Sequence, residues 1–284
     1  MERWSRILMP ALFIMMLILL GKAIFMDGFS QAFQFVFGFN ALKFSSTGAL
    51  KALGQAFFSL SLGMGAMLTY GSYLRNQDGI VEASVTISIL DTAIALISSL
   101  ILFPIIFSYG MEPAAGPGLV FISIPIALSQ MGSTTIFGTL FFALLVFAAL
   151  TSAISMLEVS ASYLIDEKKW TRVRATVVAG LAAGLFGIPS ALSGGNWIFG
   201  SGLISLIGKN WFDSLDYLAS NWMLPLGGLG IAIFTAWRMN EALRSKGFLS
   251  GSNLRIFYKI WLLLLKFLVP IAIVLIFLHA INLI

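Results

Sequence analysis

Apolar residues run in blocks of about twenty along this chain, the length a helix needs to cross a bilayer, with short polar stretches between them. The blocks cover residues 7–25, 49–70, 80–107, 137–165, 175–192, 217–237 and 260–281. None alternates with a period of two, so the pattern predicts an all-α, polytopic membrane protein of about seven transmembrane helices. The second block is unlike the rest. In GQAFFSLSLGMGAMLTYGSY, residues 54–73, the small and polar residues Gln55, Ser59, Ser61, Thr69 and Ser72 are mixed with Gly54, Gly63, Gly65 and Gly71. Glycine inside a helix costs about 1 kcal/mol relative to alanine, so Gly63-Met64-Gly65 is a weak point in mid-span. Two readings stand. The helix breaks there, which hydrocarbon tolerates only where the freed backbone lines a cavity or is buried in protein. Or Ser59/Gly63 and Ser61/Gly65, four apart, are ridges that let a neighbouring helix approach.

Polar residues elsewhere in the blocks add candidate chemistry. Asp91 in the third block needs a partner, because a carboxylate at mid-membrane costs roughly 3 kcal/mol on insertion scales. In the fourth, Ala148, Thr151 and Ser152 offer carbonyl and hydroxyl oxygens of the kind a hard cation takes. The hydroxyls could equally bond back to their own helix. Glu158 lies seven residues past Thr151, on nearly the same face. Pro10 loosens or kinks the first block, and Pro270 and Lys266 interrupt the last. Asp213 and Asp216 share one face at the start of the sixth, where carboxylates favour the helix dipole. Between the third and fourth blocks, residues 118–129 are apolar with proline or glycine at the edges, suggesting a re-entrant cap. Residues 26–47 suggest a short surface helix, and the glycine-rich stretch 193–208 a loop.

Charge settles orientation and narrows function. Of the 17 Lys and Arg, Lys22, Lys43, Lys51 and Lys209 fall on one side, Lys266 lies within a span, and the other twelve fall on the side of the N-terminus. By the positive-inside rule the N-terminus is cytoplasmic. The net charge of +5 reflects that bias and gives nucleic-acid binding no support. With no cysteine and one histidine, His279, there is no constellation for a thiol, serine-histidine or zinc enzyme. The chain reads as a single transmembrane domain, 1–284, without a soluble domain.

Four stretches carry a resemblance: GQAFFSLSLGMGAMLTYGSYL, EPAAGPGLVF, AALTSAIS and FDSLDYLASNWMLPLGGLGIAIF, in this order and spacing. Together they resemble the sodium:neurotransmitter symporter family, with its broken-helix leucine-transporter fold. The chain matches that fold from the fifth helix to the eleventh, so the four N-terminal helices fall outside it. The resemblance implies sodium-driven uptake of an amino acid by alternating access. Phe58, Ser59, Ser61, Met64 and Ser152 would line the substrate pocket. Ser59 and Asp91 would serve one sodium site, and Ala148, Thr151 and Ser152 the other. Asp216 would be the outer gate, and Ser72, Tyr73 and Asp166 the inner gate.

The sequence departs from the family at two positions. Asp91 stands where the family usually has asparagine, and Ala95 where chloride-independent bacterial members carry a carboxylate, so Asp91 is expected to supply that charge itself. Met64 replaces a residue that is often aromatic, giving a roomier pocket suited to a bulky neutral amino acid. The family's remaining ligands come from its first helix. The expected setting is therefore a bacterial inner membrane, with the chain a fragment, one half of a split transporter that takes a separate N-terminal half, or a homodimer. A non-transporting scaffold that pairs with another chain is the alternative.

Overall fold

A computed structural model describes residues 2–38, 45–75, 78–113, 116–130, 134–195, 198–250, 255–281 and 283. Lys43 and residues 114–115 of the outer segment lie outside them. All regular secondary structure among the described residues is helical. Six helices are long and apolar enough to cross a membrane: Arg6–Ile24, Ile80–Ser108, Thr135–Asp166, Arg172–Leu192, Trp211–Arg238 and Ile256–Ala280. The seventh expected span is interrupted. It consists of α3 (Ser46–Ser59) and α4 (Ala66–Ser72), with non-helical backbone between them.

The chain forms two compact units. The first comprises residues 1–43 and 88–155. It contains α1 (Glu2–Ile24), α2 (Phe29–Phe37), most of α5 (Ile80–Ser108), α6 (Ile124–Ser129) and the first part of α7 (Thr134–Asp166). Its core joins Met16 and Leu19 of α1, Ile101, Ile105 and Ile106 of α5, Ile124 and Leu128 of α6, and Phe141 of α7. The cap expected at 118–129 is therefore a short helix seated on this core, its Ile124, Ala127 and Leu128 fully buried. The expected surface helix is α2, joined to α5 by the Gly28 amide donating to the Ser108 hydroxyl at 2.9 Å. Pro10 does not break α1.

The second unit comprises residues 44–87 and 156–284. It holds α3, α4 and the end of α7, followed by α8 (Arg172–Leu192), α9 (Leu203–Ile207), α10 (Trp211–Asp216), α11 (Leu224–Ile233), α12 (Glu241–Leu249), α13 (Arg255–Leu263) and α14 (Val269–Ala280). α14 packs against α11 and α3. Arg244, buried on α12, donates Nε to the Tyr258 hydroxyl at 3.1 Å and Nη1 to the carbonyls of Thr235 and Ala236 at 3.1 and 3.0 Å. Its positive charge thus caps the carbonyl end of the α11 span, where the helix dipole favours a cation. The stretch 193–208 is not a plain loop. Among the described residues it contains a kinked turn at Ile198–Gly202, non-helical at Gly200, and the short α9.

Prolines explain three further irregularities. Pro125, Pro225 and Pro270 each sit in the first turn of a helix that directly follows a π-helical turn: Leu119–Ser123, Tyr217–Met223 and Leu264–Leu268. Proline has no amide to give the carbonyl four residues earlier, and its ring crowds that carbonyl. Widening the preceding turn to a five-residue spacing relieves the clash without ending the span.

Candidate functional site

The break begins with the way α3 ends. The Ser61 amide donates to the Phe58 carbonyl at 2.9 Å, and the Leu62 amide reaches back to the Phe57 carbonyl at 3.0 Å. This pair of bonds is a Schellman motif, and it requires a left-handed residue after the cap. Ser61 fills that position at φ 55°, where glycine is the usual occupant. Gly63 at φ 87° and Gly65 at φ 83° complete the reversal. α4 then starts after Gly65, whose carbonyl accepts both the Thr69 amide at 3.0 Å and the Thr69 hydroxyl at 3.1 Å.

Gly63 also meets a neighbour. A Cβ built there would run into the Leu224 carbonyl oxygen, and one built on Gly227 would run into the Gly63 carbonyl. At Gly228 a Cβ would strike the Phe57 ring. The helix therefore breaks; of the residues in the packing reading only Gly63 closely approaches α11, while Ser59 is exposed and Ser61 lies in the break. Phe57 is the aromatic ring that faces α11, while its neighbour Phe58 is half exposed on another side. Ser59 is exposed, and Ser61 and Met64 are half-buried in the break.

The other expected oxygens lie in the first unit. Asp91 is half-buried on α5. On α7 the Thr151 hydroxyl donates to the Ala148 carbonyl at 2.8 Å, and the Ser155 hydroxyl to the Thr151 carbonyl at 2.9 Å. Back-bonding is thus the state of Thr151 in this structure. Its proton points at Ala148, while both oxygens keep lone pairs. Hydroxyl, carbonyl and carboxylate oxygens form a donor set suited to a hard cation such as sodium. Ser152, next to Thr151, is exposed.

The expected gate residues differ in their partners. The Tyr73 hydroxyl donates to Glu158 Oε1 at 2.9 Å, and Arg172 Nη2 donates to both carboxylate oxygens of Glu158 at 2.9 and 2.7 Å. Glu158 is only 4% exposed, so this pair neutralises a carboxylate that burial would otherwise penalise. One buried acid thereby ties the end of α4 to the start of α8. The sequence placed Glu158 on the face of Thr151 without assigning it a partner, and only a fold that brings α4 back to α7 reveals one. Its hydrogen bond holds the proton on Tyr73 and raises the phenol's pKa, with smaller contributions from burial and the charge of Asp166. Ser72 is exposed, its hydroxyl donating back to the Thr69 carbonyl at 2.7 Å. Asp166, the last residue of α7, is exposed. Asp216 ends α10 and accepts from the Ser220 hydroxyl at 2.9 Å, close in sequence to Lys209, whose ammonium lies 3.4 Å from the centre of the Tyr217 ring.

Comparison with known proteins gives this geometry its context. The model of the sodium:neurotransmitter symporter family matches residues 3–283. An uncharacterised sodium-dependent transporter of Bacillus subtilis is 34% identical over 284 residues, covering 99% of this chain and 62% of the relative. One of Haemophilus influenzae is 34% identical over 97% of this chain and 59% of the relative. Among solved structures, that of MhsT in complex with L-phenylalanine is similar at TM-score 0.82 and 39% identity, over 96% of this chain and 61% of MhsT. The chain therefore spans about three fifths of the length of these relatives. Its sequence, its interrupted span and its backbone trace agree: the chain is a multi-pass membrane protein that belongs to the sodium:neurotransmitter symporter family.

Proposed function

We propose that this chain forms part of a sodium-coupled symporter for a bulky neutral amino acid, working by alternating access. The observation that carries this reading is the break at residues 60–65, held open by Ser61, Gly63 and Gly65 in left-handed conformations. There, the carbonyl end of α3 offers partial negative charge to a cation. In this reading Phe58, Ser59, Ser61, Met64 and Ser152 contact the substrate. Ser59 and Asp91 serve one sodium ion, and Ala148, Thr151 and Ser152 the other. L-phenylalanine bound to MhsT supports a substrate of that size. Tyr73, Glu158 and Arg172 act as a cytoplasmic latch, with the N-terminus on the same side and Asp216 facing outward. The rest of the site comes from the counterpart of the family's first helix, which lies outside the part of the family that this chain spans.

Equilibrium binding of labelled phenylalanine and leucine to the purified chain, in sodium and in potassium, tests the reading. Measurements are made with and without a co-reconstituted N-terminal half of the Bacillus subtilis relative. Sodium-dependent binding that Thr151→Ala abolishes supports it. Absence of sodium-dependent binding in both samples, with the two halves assembled, points instead to a non-transporting scaffold.

A further inference from the structure

We propose that the boundary between the last two spans is a site for anionic phospholipid, whose phosphates are met by Arg238, Lys246 and Lys259. The inference rests on neither sodium coupling nor the transport reading.

Arg244 assembles this face. Its bonds join three segments: its own helix α12, the Tyr258 hydroxyl on α13, and the Thr235 and Ala236 carbonyls in the π-helical turn Phe234–Arg238 that follows α11. Each segment carries a further cation one or two residues from the bond: Lys246 on α12, Lys259 beside Tyr258, and Arg238 after Ala236. All three are exposed, and among the described residues none of them forms an ion pair. Buried Arg244 itself has hydroxyl and carbonyl partners but no carboxylate. Over residues 234–263 the sequence holds five Lys and Arg and a single acid, Glu241. That acid sits in the first turn of α12, where the helix dipole favours it.

The spans fix the level of these charges. Arg238 is the last residue of the span Trp211–Arg238, and Lys259 lies in the first turn of Ile256–Ala280. Both therefore stand where the apolar stretch ends and lipid headgroups begin, the zone of basic and aromatic side chains. α12 joins the two ends. It is held there by Phe248, whose ring centre lies 5.4 Å from that of Tyr258 and 4.9 Å from that of Trp261. Because Arg244 and Phe248, four residues apart, face this packing, Leu243 and Lys246 fall on the opposite side of the helix.

The apolar company of the cations chooses a lipid over a soluble anion. Leu243 is 62% exposed, and Trp237, Ile256 and Phe257 are exposed on the segments that carry Arg238 and Lys259. A free phosphate would meet the charges and leave these side chains in water. A phospholipid meets both, its phosphate on the cations and its chains against the apolar groups, the arrangement of a helix lying in the interface. The excess of positive charge then favours an anionic headgroup, since each Lys or Arg near the surface adds to the attraction of negatively charged lipid.

The test titrates the purified, delipidated whole chain in non-ionic detergent with phosphatidylglycerol and with phosphatidylcholine, and reads bound lipid by native mass spectrometry. Phosphatidylglycerol is expected to bind more tightly. Lys246→Gln and Lys259→Gln should each weaken it about fivefold, and both together with Arg238→Gln on the order of a hundredfold, removing the preference. If the triple variant does not fold, the two single substitutions carry the test. Lys168→Gln with Lys169→Gln, in the turn between α7 and α8, should leave the preference unchanged. Equal binding of the two lipids by the unaltered chain overturns the proposal. So does a loss from the Lys168 and Lys169 variant as large as that from Lys246→Gln with Lys259→Gln, which would make the attraction one of overall charge. Glycerophosphoglycerol, the headgroup without its chains, should not displace the lipid; displacement at matched concentration would assign the cations to a soluble anion instead.

Discussion

Gly63 carries two demands at one residue, and they can be separated experimentally. Its φ of 87° excludes most side chains, and its position against the Leu224 carbonyl leaves no room for a Cβ. Left-handed backbone costs a non-glycine residue roughly 1–2 kcal/mol, and overpacking typically another 1–3. Gly63→Ala is therefore expected to destabilise the protein by about 2–5 kcal/mol in thermal unfolding. Gly180, on α8, has nothing within 4 Å of its would-be Cβ and ordinary helical backbone, so Gly180→Ala should be neutral or stabilising by up to about 1 kcal/mol. Equal effects at the two glycines would remove the case for a specified break. Tyr73 gives a second test. Its raised pKa means that the stabilisation from its bond to Glu158 is present below the ordinary phenol value near 10. That stabilisation is lost as pH rises through the folded-state value. An absorbance titration, with Tyr73→Phe as the blank, should show Tyr73 ionising above the ordinary range. Glu158→Gln should bring it down, because the carboxylate's hydrogen bond and charge are what raise it.

Among elements, the broken span shows what a sequence can and cannot reveal. Glycine spacing located the break to within a few residues, and the apolar blocks gave the other helices, because both signals are local. The π-helical turns were not legible: Pro125 and Pro270 stood out as interruptions, but whether a proline bends, ends or widens a helix depends on what the neighbours allow. The latch was equally hidden. Tyr73 and Glu158 are 85 residues apart, so their hydrogen bond belongs to the packing of α4 on α7. A double-mutant cycle of Glu158→Gln and Arg172→Gln should give a coupling in the lower part of the 0.5–3 kcal/mol range expected for contacting residues. Arg172 is 61% exposed, and solvent screens its share. Additive effects would mean that the two helices are not held by this pair.

For the molecule as a whole, the proposed mechanism is sodium-coupled uptake, with Ser59, Asp91, Ala148, Thr151 and Ser152 as the proposed oxygen donors. Sodium moving inward gains about 2.3 kcal/mol per charge for each 100 mV of membrane potential, enough to drive uptake against a gradient. If Asp91 supplies the negative charge at its sodium site, replacing chloride by gluconate should leave uptake unchanged, and Asp91→Asn should abolish it or make it chloride-dependent. Chloride-dependent uptake by the unaltered protein contradicts that assignment. The most direct measurement is uptake of labelled phenylalanine into proteoliposomes under an inward sodium gradient, by the chain alone and with a co-reconstituted N-terminal half. The account predicts sodium-dependent accumulation when both halves are present, abolished by Thr151→Ala. Accumulation that proceeds equally in potassium, or survives Thr151→Ala unchanged, would contradict it.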